Sequence, residues 1–335
     1  MAILLTGGLG YIGSHTCVSL IEKGYDVIVL DNLANSKIEV LSAIKQITGK
    51  QPKFYACDLL DYKTIRKIFE KNQIQSVIHF TGFKAVGESV AKPLMYYENN
   101  LVGTINLLNI MQEFGVKNLV FSSSATVYGQ AKTMPIDETF ETGATNPYGR
   151  TKLFIEEILK DVCKANAEMN ITILRYFNPI GAHSSSLLGE NPNGVPNNLM
   201  PYIVKVALGK LEKINIFGNN YNTKDGTGVR DYLHVMDLAE GHVCAISKME
   251  KENGGLNIYN LGSGKGFSVL EIINTFNKVC PKQVKYEIVE RRAGDVDVCY
   301  SSAEKAEKEL GWKATRTLED MCLSSYLFGE KNIED

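Results

Sequence analysis

Through the first half of the chain, short apolar runs alternate with longer stretches whose apolar positions recur every three or four residues. The runs at 3–6, 27–31, 53–56, 76–80 and 118–123 predict strands, and the periodic stretches at 11–23, 36–48, 61–71 and 93–114 predict helices. A further helix is expected to open at Asn146-Pro147: Asn caps well, and Pro is tolerated at the first helical position because its missing N–H would find no partner there. A strand at 171–176 follows. Repeated strand–helix alternation predicts a doubly wound, parallel α/β sheet with helices on both faces. After about 177 the pattern changes. Residues 181–200 and 218–231 are polar and rich in Gly, Ser, Asn and Pro, with short strands (213–217, 257–260, 284–289) and helices (199–209, 235–249, 268–278, 316–327) between and beyond them. This predicts a second, smaller mixed α/β domain at 178–335, with some segments returning to the main sheet of 1–177. The tail from Gly329 is polar and is expected to fray.

The chain has 335 residues, 44% of them hydrophobic, enough for one large core and an annex. A net charge of -2 with no basic block argues against a nucleic-acid partner. No apolar stretch is long enough to span a bilayer, and the N-terminal run ends at once in glycines, unlike a secretory signal. Seven Cys without a CxxC suggest reduced thiols in a cytoplasmic setting. The five His are scattered, so no catalytic metal is expected.

Thr6-Gly-Gly-Leu-Gly-Tyr-Ile-Gly13 joins the first strand to the first helix. Gly8, Gly10 and Gly13 satisfy GxGxxG, and Gly7, Gly10 and Gly13 give the related GxxGxxG spacing. Glycines let the backbone turn tightly and approach a pyrophosphate, which the unpaired N–H groups of a helix N-terminus then receive. Asp31 ends the second strand, where a carboxylate can accept from adenosine ribose hydroxyls and repel a 2′-phosphate. The constellation predicts a Rossmann-type domain that binds NAD in preference to NADP. Asp58, after the third strand, is placed either to reach the adenine or to cap the next helix.

Tyr148-Gly-Arg-Thr-Lys152 sets Tyr and Lys one turn apart on one helix face. YxxxK is a weak motif, and a second match at Tyr128 and Lys132 lies by Gly129 and Pro135, in an expected loop. The first match sits at a capped helix start, and Ser122, Ser123 and Ser124 leave the preceding strand, whose C-terminal end points to the ligand crevice of such sheets. A phenol with a pKa of about 10 acts as a base near neutrality only if its anion is stabilised by roughly 4 kcal/mol. An ammonium some 5 Å away contributes about 3 kcal/mol at an effective dielectric near 20. Ser124 is placed to hydrogen-bond a reacting hydroxyl.

These residues resemble the extended short-chain dehydrogenase/reductase family, and within it the enzymes that invert C4 of UDP-hexoses. The likeness covers nearly the whole chain: GGLGYIGSH (7–15), DNL (31–33), HFTGFKAVGES (79–89), SSSATVYG (122–129), NPYGRTK (146–152), RYFNPIGAH (175–183), PNNLMPYI (196–203), DGTGVRDYLHVMDLA (225–239) and RRAGD (291–295). It implies NAD-dependent interconversion of UDP-glucose and UDP-galactose through a transient 4-keto sugar. Tyr148, Lys152 and Ser124 would be catalytic, Tyr148 taking the C4 hydroxyl proton and later returning it.

The resemblance further implies that Gly7, Gly10, Tyr11, Ile12 and Gly13 hold the pyrophosphate, and that Asp31, Asn32, Asn35, Ser36, Asp58 and Leu59 face the adenosine. Phe80, Gly82, Lys84, Asn99 and Ser122 would line the rest of the cofactor, and Tyr176 and Phe177 would flank the nicotinamide. Asn178, Asn198 and Leu199 would contact the sugar nucleotide, Phe217 the uracil, Arg230 and Arg292 the diphosphate, and Asp295 the uridine side. Lys84, Ser124 and Tyr148 would also meet the hexose. Homodimers are implied, through pairing of helices 93–114 and 147–165. Thr81, Phe83 and Arg150-Thr151 depart from the commoner family residues. Cys299 stands where members restricted to plain UDP-hexoses carry Tyr. Its small side chain implies activity on UDP-GlcNAc and UDP-GalNAc as well, although a free Cys is often simply a small buried hydrophobe.

Two alternatives stay open. A nucleotide-sugar 4,6-dehydratase would share the fold, but its acid pair is expected directly after the serine, where this chain reads Ala125-Thr126. A non-catalytic NAD-sensing module is opposed by the intact Ser124, Tyr148 and Lys152.

Overall fold

The computed structural model describes residues 2–192, 196, 198–252, 254–292 and 295–333. Asn197, and Ala293 and Gly294 of the RRAGD segment, lie outside the described residues. The first half is built of strand–helix repeats: β1 (Ala2–Thr6), α1 (Tyr11–Glu22), β2 (Asp26–Asp31), α2 (Val40–Thr48), β3 (Lys53–Ala56), α3 (Tyr62–Lys71), β4 (Ile74–His79), α4 (Val86–Ala91), α5 (Pro93–Tyr97), α6 (Gly103–Glu113), β5 (Asn118–Ser124), α7 (Pro147–Ala165) and β6 (Asn170–Tyr176). The second half runs β7 (Asn178–Ile180), α8 (Leu199–Ala207), β8 (Ile214–Phe217), β9 (Val229–His234), α9 (Val235–Met249), β10 (Gly255–Leu261), β11 (Gly266–Ser268), α10 (Val269–Val279), β12 (Tyr286–Val289), β13 (Val298–Cys299), α11 (Glu304–Leu310) and α12 (Leu318–Asn332).

Seven strands form one sheet in the order β10-β6-β5-β4-β1-β2-β3. Every pairing in it is parallel, which makes it the doubly wound Rossmann-type sheet the pattern predicts. Side chains alternate between its faces. Ile3 and Leu5 enter one apolar cluster with Val18, Val29 and the α9 residues Leu238, Val243 and Ile246. Leu4 enters the other with Ile28, Val77, Ile65, Leu107, Ile155 and Leu159. The chain reverses direction across the sheet between β1 and β4, and doubly wound sheets take their ligands at such a point, outside the strands' C-terminal ends. β10 comes from the second half and completes the sheet by pairing with β6 over its whole length. The remaining strands form two small sheets, one around β9 and one of β8 with β12. They pack on a third core containing Ile203, Ile214, Ile272, Phe276 and Met321.

Several boundaries differ from the sequence reading, each for a physical reason. The helix expected at 36–48 starts only at Val40, because Asp31 holds the preceding residues in a turn, accepting from the Leu33 N–H (2.9 Å) and the Ser36 hydroxyl (2.7 Å). The continuous helix expected at 93–114 is interrupted by a π-helical turn at Glu98–Val102. The polar stretch 218–231 ends inside β9, where Val229, Arg230 and Asp231 pair with β11. The frayed tail is a correction: α12 continues to Asn332. Asn332 is held by the Ser186 carbonyl at 2.7 Å, and the helix starts in a capping box of Thr317 and Asp320.

Candidate active site

At the cofactor end, Gly7 has φ +70°, and a Cβ there would lie 3.0 Å from the Thr81 backbone nitrogen. At Gly13 a Cβ would lie 2.4 Å from the Gly7 carbonyl oxygen and 2.8 Å from the Gly8 Cα, so only glycine lets α1 press against this turn. A Cβ at Gly10 would meet nothing but the Gly7 carbonyl within 4 Å. Among the described residues no side chain caps α1, so its first-turn N–H groups at Tyr11, Ile12 and Gly13 stay available to an anion. This donor set fits a dinucleotide pyrophosphate. Asp31 is buried, and Leu9 N–H donates to it at 3.0 Å, tying the glycine turn to the end of β2. Asn32 donates to Asp58 at 2.7 Å. Asp58 also takes the Leu60 N–H, while the cap of α3 is Asp61, so of its two expected places Asp58 does not take the cap. Leu59 is buried under Gly103, and Asn35 is exposed.

Tyr148 and Lys152 sit in the first turns of α7, positioned by the Asn146 side chain, which accepts from the Gly149 N–H at 2.9 Å. Both are buried. Lys152 Nζ donates to the Ser122 carbonyl at 2.8 Å and lies 4.9 Å from the centre of the Phe121 ring. Burial brings its pKa down to about 8, against the pull of Glu156 upward. Burial drives Tyr148 well above the ordinary phenol value and Tyr176 raises it further, while a hydrogen bond with Ser124 pulls the other way. Ser124 Oγ accepts from Thr126 N (3.2 Å) and Thr126 Oγ1 (3.0 Å), which leaves its own proton for a further acceptor. The Tyr128 of the second YxxxK match lies in a 3-10 turn with its hydroxyl between Arg175 and Asn260, while Lys132 is exposed.

The π turn has a local consequence. Its wider coil brings Asn99 and Asn100 together toward the 80–84 segment, and Asn100 is fully engaged. Asn100 Oδ1 accepts from Phe83 N (2.8 Å) and Asn99 Nδ2 (2.8 Å), and Asn100 Nδ2 donates to the Phe83 carbonyl and to Thr151 Oγ1 (2.9 Å). Thr151 in turn donates to the Tyr148 carbonyl at 2.7 Å. The atypical Thr151 and Phe83 are thus connected through Asn100, a link that sequence reasoning missed because a π turn has no sequence period. Gly82 packs against the same amide.

Glu190 is a second missed residue. It accepts from Lys84 Nζ at 3.1 Å and from Asn198 Nδ2 at 2.6 Å, while its other oxygen is buried with no partner among the described residues. Asn198 stands at the N-cap position of α8 but spends its side chain on Glu190, and Leu199 follows in the first turn. Tyr11 is anchored to the nearby Gly181 carbonyl at 2.6 Å.

The nucleotide-side candidates converge on Asp295. Arg292 Nε donates to it at 2.9 Å, Arg230 Nη2 lies 4.0 Å away, and Tyr221 donates at 3.3 Å. The Arg292 guanidinium lies 4.7 Å from the centre of the half-exposed Phe217 ring. Cys299 pairs with Arg230 across β13 and β9 and packs against the cluster of Val127, Tyr128 and Phe177. Asn178 is exposed at the start of β7.

Two buried histidines frame the pocket. His242 Nδ1 faces the Leu238 carbonyl, so it carries the proton, and Nε2 accepts from Ser122 Oγ at 3.1 Å. Its ring lies against Phe80 (4.8 Å) and Tyr176 (6.3 Å). His79 bridges Thr6 and Thr104. Burial lowers His79 and His234 to about 3 and His15 and His242 to about 4. Unfolded imidazoles take up protons below about pH 6.5, whereas these native ones refuse them until about pH 3–4. Their contribution to stability is therefore complete above pH 7 and is lost as pH falls toward 4. Urea midpoints measured against pH should be flat near neutrality and drop steeply below 6.5; a midpoint at pH 4.5 equal to that at pH 7 would contradict the buried neutral state.

Residues 4–324 match the protein family described as GDP-mannose 4,6 dehydratase. The UDP-glucose 4-epimerase of Bacillus subtilis (strain 168) is 57% identical over 333 residues, which span 99% of this chain and 98% of the relative. The crystal structure of UDP-glucose 4-epimerase from Bifidobacterium longum, in complex with NAD+ and UDP, is similar with a TM-score of 0.96 at 52% identity, covering 99% of each chain. The UDP-Glc/GlcNAc 4-epimerase of the human pathogen Campylobacter jejuni gives a TM-score of 0.86 at 37% identity, over 98% of this chain and 99% of that one.

Proposed function

The chain belongs to the UDP-glucose 4-epimerases of the extended short-chain dehydrogenase/reductase family, and we propose that Tyr148, Lys152 and Ser124 are the residues with which it interconverts UDP-glucose and UDP-galactose. The observation that carries this reading is the burial of Tyr148 and Lys152 on one face of α7, against the strand end that bears Ser122 and Ser124. NAD, held by the glycine turn, the α1 N-terminus and Asp31, supplies the redox chemistry at C4 and a positive ring charge. Tyr148 Oη takes the C4 hydroxyl proton, keeps it while the 4-keto sugar turns over, and returns it to the same oxygen once C4 is reduced from its opposite face. Lys152 provides positive charge beneath the phenol, and Ser124 donates to the sugar oxygen. Arg230 and Arg292 hold the diphosphate while the hexose turns, a task for forked donors that reach two oxygens at once. Lys84, Asn198 and Glu190 close the other side of the pocket.

Residues 1–177 act as the NAD-binding unit and 178–335 as the sugar-nucleotide unit. Two copies pair through the face that carries Val90 (63% exposed), Leu94 (80%), Val102, Ile105 and Phe154, an apolar strip on the α4–α7 side that a lone protomer would leave wet. Seven free thiols suit a cytoplasmic setting, and among the described residues no helix is long and apolar enough to cross a membrane. Cys299 beside Phe177 carries a small thiol where a phenol ring would crowd an acetamido group, so UDP-GlcNAc and UDP-GalNAc are substrates in this reading too.

Product analysis with UDP-glucose, UDP-GlcNAc and GDP-mannose side by side tests the reading. C4 epimers of the first two are expected. Loss of water from GDP-mannose would favour a dehydratase, although Ala125-Thr126 follow Ser124 where that reaction wants an acid pair. Asp31→Ala is expected to weaken NAD retention by about tenfold and to soften discrimination against NADP, because it removes the ribose acceptor at the end of β2. A variant that purifies with undiminished NAD would show that the ribose is held elsewhere.

A further inference from the structure

We propose that the buried Glu156–Arg175 ion pair is a positioning element of the epimerase reaction, fixing Lys152 and the two strand ends against which Tyr148 works. The proposal rests on the reading of Tyr148 and Lys152 given above. α7 carries Tyr148, Lys152 and Glu156 at successive turns of one face, and all three are buried, Glu156 with no exposure at all. The Glu156 carboxylate is saturated by two partners. One oxygen accepts from Ser123 Oγ at 2.5 Å and Arg175 Nε at 3.1 Å; the other accepts from Arg175 Nη2 at 2.6 Å and Nε at 3.2 Å.

The position of these partners matters. Ser123 lies between Ser122, whose carbonyl takes the Lys152 ammonium, and Ser124. Arg175 immediately precedes Tyr176. In the parallel register of β5 and β6, Ser123 stands opposite Arg175 and Ser124 opposite Tyr176. Glu156 thus clamps the cross-strand pair directly behind the pair that faces the pocket, from the same helix that presents the base. Arg175 passes the contact on to Tyr128 (3.0 Å), and Tyr128 to Asn260 on β10 (2.7 Å).

Stability alone is a poor reason for such a pair. Removing two charges from water carries a heavy desolvation cost, and well-packed apolar residues often replace a buried pair at no loss. What apolar residues cannot supply is an anion one turn from the Lys152 ammonium. From α7 that ammonium faces Tyr148 and Glu156. β4 offers His79, which burial and the Lys152 charge hold low; β5 offers the Ser122 carbonyl and the Phe121 ring; the α9 residue His242 meets Ser122 Oγ, and on β6 Arg175 and Tyr176 stand opposite Ser123 and Ser124. Glu156 is the anion that opposes the loss of the Lys152 proton. Without it the ammonium would be given up nearer to neutral pH, and the phenol would lose its positive neighbour.

The decisive experiment replaces both partners, Glu156→Leu with Arg175→Met, so that no lone charge is left buried, and adds Glu156→Gln as the single change. NAD content, melting temperature, and kcat and KM for UDP-galactose are measured on the purified holoenzymes across pH 6–10. The double variant is expected to melt within a few degrees of the parent, keep its NAD, and hold KM within about threefold. Its kcat should fall at least tenfold, and the alkaline limb of its kcat profile should move toward acid by about one pH unit, since the anion beside Lys152 is gone. Glu156→Gln should displace the limb at least as far, because the Arg175 guanidinium then stays without its counter-ion, and should melt at a lower temperature for the same reason. A double variant with parental kcat and an unmoved limb overturns the proposal. So does one that no longer folds, because the pair would then be kept for the fold. Failure of the underlying functional reading looks different: the parent itself would leave UDP-galactose unchanged.

Discussion

Tyr148→Phe is expected to cut UDP-galactose turnover by roughly two to four orders of magnitude, the usual contribution of a positioned general base. The phenol is buried, its hydroxyl meets Ser124, and the ammonium that supports it is one helical turn away. Removing a single oxygen leaves the ring, the Asn146 cap and the Lys152–Ser122 contact in place, so fold and pocket shape should survive. NAD should copurify at the parental level, since the glycine turn and Asp31 are untouched. The pH profile matters as much as the rate. Burial raises this phenol above its ordinary pKa and Tyr176 adds to the rise, so positive charge gathered around it is what favours the anion. A Tyr148→Phe variant with more than about a tenth of parental kcat would remove Tyr148 from the role of base.

The second large effect concerns substrate choice. Cys299→Tyr is expected to suppress conversion of UDP-GlcNAc while sparing UDP-galactose. Cys299 lies on β13 beside Arg230 and packs against Phe177, and in the proposed site a phenol ring there would take up the room that the acetamido group needs. Close-packed protein resists overpacking by roughly 1–3 kcal/mol, which corresponds to a loss of about fivefold to a hundred-fifty-fold in kcat/KM for the N-acetylated substrate. The ratio of the two kcat/KM values is the measurement that counts, because it cancels any general loss of stability. If the parent protein ignores UDP-GlcNAc from the start, the pocket is closed by something other than this position.

How much of this was legible beforehand depended on periodicity. Strands such as 27–31 announce themselves as short continuous apolar runs, and helices such as 61–71 by apolar positions at helical spacing behind a capping Asp61. The glycine turn was readable for a different reason: at Gly13 any side chain would strike the Gly7 carbonyl, so the sequence has no alternative. What stayed hidden was tertiary. Asn100 owes its place to a change of helix pitch, which leaves hydrophobic spacing nearly unaltered. Glu190 sits in a polar loop, where nothing local distinguishes it from a solvated residue until Lys84 and Asn198 arrive from elsewhere. Short strands such as β9 and β13 exist because partners far along the chain complete them, and Val298–Cys299 has too few residues to show any alternation. Glu156 lay in view at the right spacing from Lys152, yet only the register of β5 and β6 reveals what it holds.

The return of the second half to finish the main sheet also bears on how the protein is made. A nascent chain released from the ribosome as far as Tyr176 has all six strands of its cofactor half, but β6 has an open edge, and its natural neighbour, Gly255–Leu261, has not been synthesised. At roughly 5–20 residues per second the gap lasts on the order of ten seconds. During that interval the backbone N–H and C=O groups of β6 form an unpaired edge of the kind on which strands from other chains add. Translation speed between codons 177 and 261 would then bear on how much of the product reaches the native state.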